Sequence, residues 1–294
     1  MSAADFEQSS PGTLEPLATP ARPPRERIGL GKRAYGSLRG GLEQTGAMVR
    51  LTGRTLLVAV TPPFEYGTEF VQQFSFTLRV CWLPLLISTV AFGYEAPGLQ
   101  GANVLTLLGA IDRLGGFFVL ASIREFAPFV TAIVVVGVAG TAITADLGAR
   151  RIREELDALE VLGVEPVRNL VVPRFLALML ATALFDIYAL IFGIVGGILA
   201  TLVNHAPLGP FFATLSNNAE TTDLWGSVLK TTLFGAVTAI VCCYKGMTAE
   251  GGPSGVGRAV NQAVVTAMMG IFALNYAFTQ VLLATHPAIT TIAK

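Results

Sequence analysis

Charged side chains embedded in a mostly apolar chain are the residues that could do chemistry here. The densest group is LGARRIREELDALEVLG, residues 147–163. Arg150, Arg151 and Arg153 stand four residues before Glu154, Glu155 and Asp157, so a helix would allow three i,i+4 ion pairs. Ile152, Leu156 and Leu159 recur at i, i+4 and i+7 and share one helix face. Gly163 and Pro166 supply the stop signal. The chemistry this pattern permits is recognition rather than bond-making. Arg150, Arg153, Glu154, Asp157 and Glu160 form a charged face suited to a polar groove on a soluble partner. Ile152, Leu156 and Leu159 form an apolar face that packs on a bundle or fills a partner's pocket. The stretch is too charged for lipid and, at about 1.5 Å per residue, too short to cross it. It is predicted to lie across the membrane mouth, either as a coupling element or as a helix that merely caps the bundle.

Three further ionisable residues at or inside apolar runs are candidates for chemistry. Arg124 and Glu125 are adjacent charges of opposite sign that need partners at membrane depth. They face a cavity, close a network between helices, or sit at the outer interface with the span beginning at Phe126. The 20-residue charge-free run after them favours the last. Asp186 is costly in its apolar run unless it is paired or faces a cavity, so it marks either a transport path or a helix–helix hydrogen bond. No catalytic constellation is present: the sequence has no GxxxxGK[ST], GxSxG, HExxH or CxxC. The chain is therefore not expected to be an enzyme or to hold an ATP site, a metal or another cofactor. Cys81, Cys242 and Cys243 lie in apolar runs and are expected to pack as small hydrophobes.

The elements that must position these residues are membrane helices. Hydrophobic residues make up 52% of the 294 and charged ones only 14%, against roughly 25% in soluble domains. The net charge is zero, which gives no sign of a nucleic-acid partner. Five runs are long and apolar enough to cross about 30 Å of hydrocarbon: 72–94, 117–145, 174–203, 226–245 and 259–285. The expected class is an all-α integral membrane protein of five transmembrane helices. Eight of the 20 basic residues precede position 70, and five more (Arg150, Arg151, Arg153, Arg168, Arg174) lie before the third span. Lys245 and Arg258 flank the fourth–fifth connection, whereas the other side has only Arg113, Lys230 and Lys294. With five spans, all three basic regions fall on the cytoplasmic face, which puts the N-terminus inside and the C-terminus outside.

Residues 1–30 are Pro-rich without apolar periodicity and are expected to be a disordered cytoplasmic tail rather than a signal peptide. Residues 31–62 mix Leu38, Leu42, Met48 and Leu51 with Lys32, Arg33, Arg39, Arg50 and Arg54. That mixture reads as a basic amphipathic helix in the cytoplasmic interface, with a flexible basic linker as the alternative kept open by four glycines. Residues 63–294 form the membrane domain. Gly193, Gly196, Gly197, Gly137 and Gly140 are expected to allow close helix approach.

The run TADLGARRIREELDALEVLGVEPVRNLVVPRFLA closely resembles the signature of the MlaE/YrbE permeases, of the type AELGxMRVxEQIDALExMGVDPxxxLVxPRxLA. The matched positions include Leu147, Gly148, Arg151, Glu154, Asp157, Ala158, Leu159, Gly163, Val164, Pro166, Pro173 and Arg174. IREFAPFVTAIVVVG resembles the family's VREFGPxxTALxxAG, and residues 251–265 resemble its GAxGVGxATxxAVV loop. Two positions depart: Val138 stands where the family has the arginine of GRVGAA, and Asp146 stands where glutamate is usual. The pattern is most similar to a Mce-associated YrbE subunit of actinobacteria. The resemblance implies a permease subunit of an ATP-driven lipid transporter in a bacterial inner membrane. It implies a cytoplasmic ABC ATPase docked through the charged loop helix. It also implies a second, non-identical permease, periplasmic MCE-domain proteins that form a tunnel, and lipid cargo moving inward. The alternatives are a non-transporting scaffold and an ion-coupled secondary transporter. A single candidate midplane carboxylate and no visible repeat weigh against the latter.

Overall fold

The computed structural model describes residues 30–62, 64 and 66–285, and among them there are helices and turns but no strands. The expectation for residues 1–30 therefore falls, but for Leu30, outside the described residues. The chain divides into two compact units at Gln44, a point inside helix α1 (Leu30–Val60). In the first unit the described side chains include the i,i+4 ion pair Arg39–Glu43, at 2.8 Å. Helix α1 runs through Gly36, Gly40, Gly41 and Gly46.

The second unit holds the five helices long and apolar enough to span a membrane. They are α2 (Gly67–Leu107), α3 (Ile111–Ile152), α5 (Val167–Val203), α7 (Thr221–Met247) and α8 (Gly252–Thr285). Two short helices, α4 (Glu155–Val161) and α6 (Leu208–Asn218), fill the connections on either side of α5. The spanning helices outrun the apolar runs inside them because a helix continues into water for as long as its turns stay paired. The hairpin between α2 and α3 is tight. Gly109 at φ 65° closes it, with Ala110 N–H donating to Leu105 O and Gly109 N–H to Thr106 O, the Schellman pattern. His205 takes the same left-handed position after α5, a conformation that costs a non-glycine residue roughly 1–2 kcal/mol.

Three of the spans are not uniformly α-helical. Wide π turns occupy Tyr94–Gln100 in α2, Val119–Phe126 and Val136–Gly140 in α3, and Val167–Val171 at the start of α5. Pro97, which has no N–H to donate, lies inside the first of them. Helices α7 and α8 are α-helical throughout.

The core lies between α2, α3, α5 and α7, where Leu85, Val135, Ile143, Leu147, Phe175, Leu178, Cys242 and Cys243 pack together. The three cysteines are free and buried, as their apolar neighbours require. Glycine permits a close approach at the crossing of α2 and α5. A Cβ on Gly93 would meet the backbone of Gly193, and one on Gly196 would meet Val90 O and Tyr94 N. Gly140 approaches Cys242 closely, whereas Gly137 faces open space and has no such role. Gly196→Leu is expected to cost about 3 kcal/mol by overpacking and to remove the monodisperse peak in detergent size-exclusion chromatography. Gly137→Leu is expected to leave that peak in place.

Candidate functional site

The connection between α3 and α5 is not one charged rod. Helix α3 ends at Ile152, Glu154 adopts the left-handed conformation at φ 60°, and α4 restarts at Glu155. The break shifts the register, so the three anticipated i,i+4 pairs do not form. Arg150 turns back to Asp146 at 3.2 Å, Arg151 reaches Asp157, and Arg153 holds Glu155 at 2.7 Å. These pairs are more than one-third exposed on every partner, so each is worth under about 1 kcal/mol. They orient the segment more than they stabilise it.

The apolar face does what its spacing implies. Leu156 is buried in the main core, Leu159 packs partly against it, and Ile152 is half-buried. Arg153, Glu154, Asp157 and Glu160 are exposed. Helix α4 closes with a Schellman motif: Val164 N–H donates to Leu159 O at 2.9 Å and Gly163 N–H to Glu160 O at 3.0 Å, with Gly163 at φ 76°. That turn leaves Val161 and Leu162 projecting, 88% and 76% exposed. Sequence reasoning missed this apolar tip. The available signal was two large hydrophobes beside the turn glycine, off the buried stripe. Arg54 of α1 donates to Glu165 at 2.8 Å and so ties α1 to the same connection. Beside α4, a cavity of about 470 Å³ is lined by Arg50, Arg151, Leu156, Glu160 and Tyr244, among others.

The second cluster joins four spans. Arg124 grips the buried Asp223 with two donors, Nε to Oδ1 at 2.7 Å and Nη2 to Oδ2 at 3.3 Å. Asp223 also caps α7 by accepting from Glu220 N–H at 3.1 Å. Lys230 Nζ donates to Glu125 Oε1 at 3.1 Å, to Arg124 O at 2.8 Å and to Thr279 Oγ1 at 3.1 Å. Asn275 Nδ2 donates to Glu125 Oε2 at 3.0 Å. Asp186 is fully buried and accepts from Ser227 Oγ at 2.7 Å and Thr231 Oγ1 at 2.9 Å.

Arg124 and Glu125 thus lie within a continuous helix that starts well before Phe126, and their side chains close an interhelical network. Lys230, counted among the basic residues of the outer face, is buried in that network. A lysine inside an apolar run was the signal that went unread. Asp223, Ser227, Thr231, Asn275 and Thr279 gave no sequence signal of their own. The two clusters are separate: α4 and its charges follow the end of α3 at Ile152, far along that helix from Arg124 and Glu125.

The family described as Permease MlaE matches residues 70–281. The chain belongs to the MlaE permease family. Among its relatives, the "Probable ABC transporter permease protein" of Synechocystis is 35% identical over 180 residues, 60% of this chain and 68% of that protein. TRIGALACTOSYLDIACYLGLYCEROL 1 of Arabidopsis chloroplasts is 31% identical over 204 residues, 68% of this chain and 56% of that protein. The intermembrane phospholipid transport system permease protein MlaE of Haemophilus influenzae is 29% identical over 202 residues, 68% of this chain and 77% of that protein. This MlaE-type permease spans both clusters within the matched region. Val138 is half-buried against the main core. Asp146 keeps a carboxylate function by accepting from Arg174 Nη2 at 2.8 Å.

Proposed function

We propose that this permease is the transmembrane subunit of an ATP-driven lipid transporter. In this reading a cytoplasmic ABC ATPase docks on α4 and the turn after it. The observation that carries the reading is the shape of that segment. Leu156 anchors it in the core, the exposed charges of Arg153, Glu154, Asp157 and Glu160 surround it, and Val161 and Leu162 project from its end. An exposed apolar pair rimmed by charge is what a docking element presents to a grooved partner. Arg153 and the left-handed Glu154 join α4 to α3, and a short turn joins it to α5, so a push on α4 reaches two spans directly.

The relatives support lipid as cargo, since the Haemophilus protein is described as a phospholipid transport permease. The chain then sits in a bacterial inner membrane with its N-terminus and α4 in the cytoplasm and its C-terminus in the periplasm. It pairs with a second, non-identical permease and meets periplasmic MCE-domain proteins, with lipid moving inward. Arg124, Glu125 and Asp186 serve as interhelical ties in this reading. Each oxygen of Asp186 accepts from one hydroxyl of α7, as an interhelical tie would.

The test is co-purification with the ATPase followed by reconstitution. ATP-dependent movement of labelled phospholipid between proteoliposome leaflets is the expected result. Movement driven by a proton gradient without ATP would replace this reading with secondary transport. ATPase binding with no lipid movement would leave a scaffold.

A further inference from the structure

Near the α4 end of the bundle lies a second cavity of about 300 Å³, lined by Gln73 and Phe76 of α2, Ala142, Ile143, Asp146 and Arg150 of α3, and Arg174 of α5. Its volume is at the lower edge of the range of small-molecule sites. Arg174 forms the back wall with its side chain only 1% exposed. Its Nη1 donates to Leu170 O and its Nη2 to Asp146 Oδ2, both at 2.8 Å, but its Nε is buried without an acceptor. Arg150 spends only its Nε, on Asp146 Oδ1 at 3.2 Å, and both its Nη groups lack a protein acceptor among the described residues. Asp146 is therefore held by two guanidinium groups at once. Glu69 is the other carboxylate nearby. It stands 3.6 Å from Arg174 Nη2 and accepts from Gln73 Nε2 at 2.9 Å.

The acids of this cluster are engaged, and its unspent arginine N–H groups are all donors. A buried arginine donor without a partner is costly, and an anionic oxygen is its strongest acceptor. We propose that this cavity binds a phosphate group, carried by the headgroup of a phospholipid in the adjacent leaflet. Phosphate oxygens would meet Arg150 Nη1 and Nη2 and come within reach of Arg174 Nε, with the Arg174–Asp146 pair holding the guanidinium plane in place. The lipid source follows from the wall opposite. Phe76, Val80, Leu83 and Ile87 recur at i, i+4, i+7 and i+11 on α2, and Phe76, Leu83 and Ile87 are exposed. The three exposed ones give an acyl chain apolar surface leading away from the charged end, while Val80 packs partly against the core. The site is independent of ATPase docking, so either reading can fail alone.

Native mass spectrometry of the full chain in dodecyl maltoside tests it, with phosphatidylglycerol and inorganic phosphate titrated separately. Wild type is expected to retain one phosphatidylglycerol that Arg150→Ala binds about tenfold more weakly. Ala142→Trp, which fills the cavity without touching its charges, is expected to weaken retention similarly. Arg113→Ala, at the opposite end, is expected to leave it unchanged. Equal retention by wild type, Arg150→Ala and Ala142→Trp would overturn the site. Inorganic phosphate binding as tightly as the lipid, with the same dependence on Arg150, would overturn the lipid as its source.

Discussion

Leu162→Asp, expressed with its ATPase, is expected to abolish capture of the ATPase and all ATP-dependent lipid movement while the permease itself stays folded. The expectation rests on two magnitudes. Leu162 is 76% exposed and Val161 88%, so a carboxylate there costs the free permease almost nothing. In a docked complex the same carboxylate would lie in a desolvated apolar contact, where an unpaired charge is expelled. Leu156→Asp is a poorer probe because Leu156 is part of the core and its loss would unfold α4. Leu159→Asp shares that fault in part, and Asp157→Lys disturbs the pair with Arg151 as well. Pull-down of the ATPase with unchanged yield by Leu162→Asp would show that the tip is not the docking point.

The largest effect on stability is expected from Arg124→Ala. It would strand Asp223, whose side chain is fully buried, as an unpaired charge between helices. Breaking such a pair costs about 3–5 kcal/mol. Losing one interhelical hydrogen bond in a membrane bundle, as in Ser227→Ala, which leaves Asp186 the Thr231 donor, costs only about 0.6 kcal/mol on average. Thermal unfolding in detergent should therefore show a large loss for Arg124→Ala and a small one for Ser227→Ala. The double variant Arg124→Leu with Asp223→Leu is expected to regain much of the loss, because it leaves no uncompensated charge. A double variant as unstable as Arg124→Ala would mean that the network acts through its hydrogen bonds to the backbone rather than through charge.

The number of spans and the face of α4 that packs were readable because both rest on long-period apolar patterning. Leu156 falls into the core from its spacing alone. The break at Glu154 was not readable, since nothing in REEL distinguishes a left-handed residue from one more helical turn. That single backbone change redirected all three arginines. The Arg124–Asp223 and Glu125–Lys230 pairs were hidden for a different reason. Their partners lie 99 and 105 residues apart, and only the packing of α3 against α7 brings them together. Arg174 was visible as part of a family motif, but its orphaned Nε depends on where Leu170 O and Asp146 fall in three dimensions.

The wide turns in α2, α3 and α5 have a mechanical consequence. Each holds a residue in excess of an α-helical turn, and surrendering it would retract the rest of the helix by about 1.5 Å and rotate it by roughly 100°. The three helices that carry them therefore have slack in their own backbones, whereas α7 and α8 have none and can only tilt. A stroke delivered at one end of this molecule would be taken up as screw motion in three rods and as rocking in the other two.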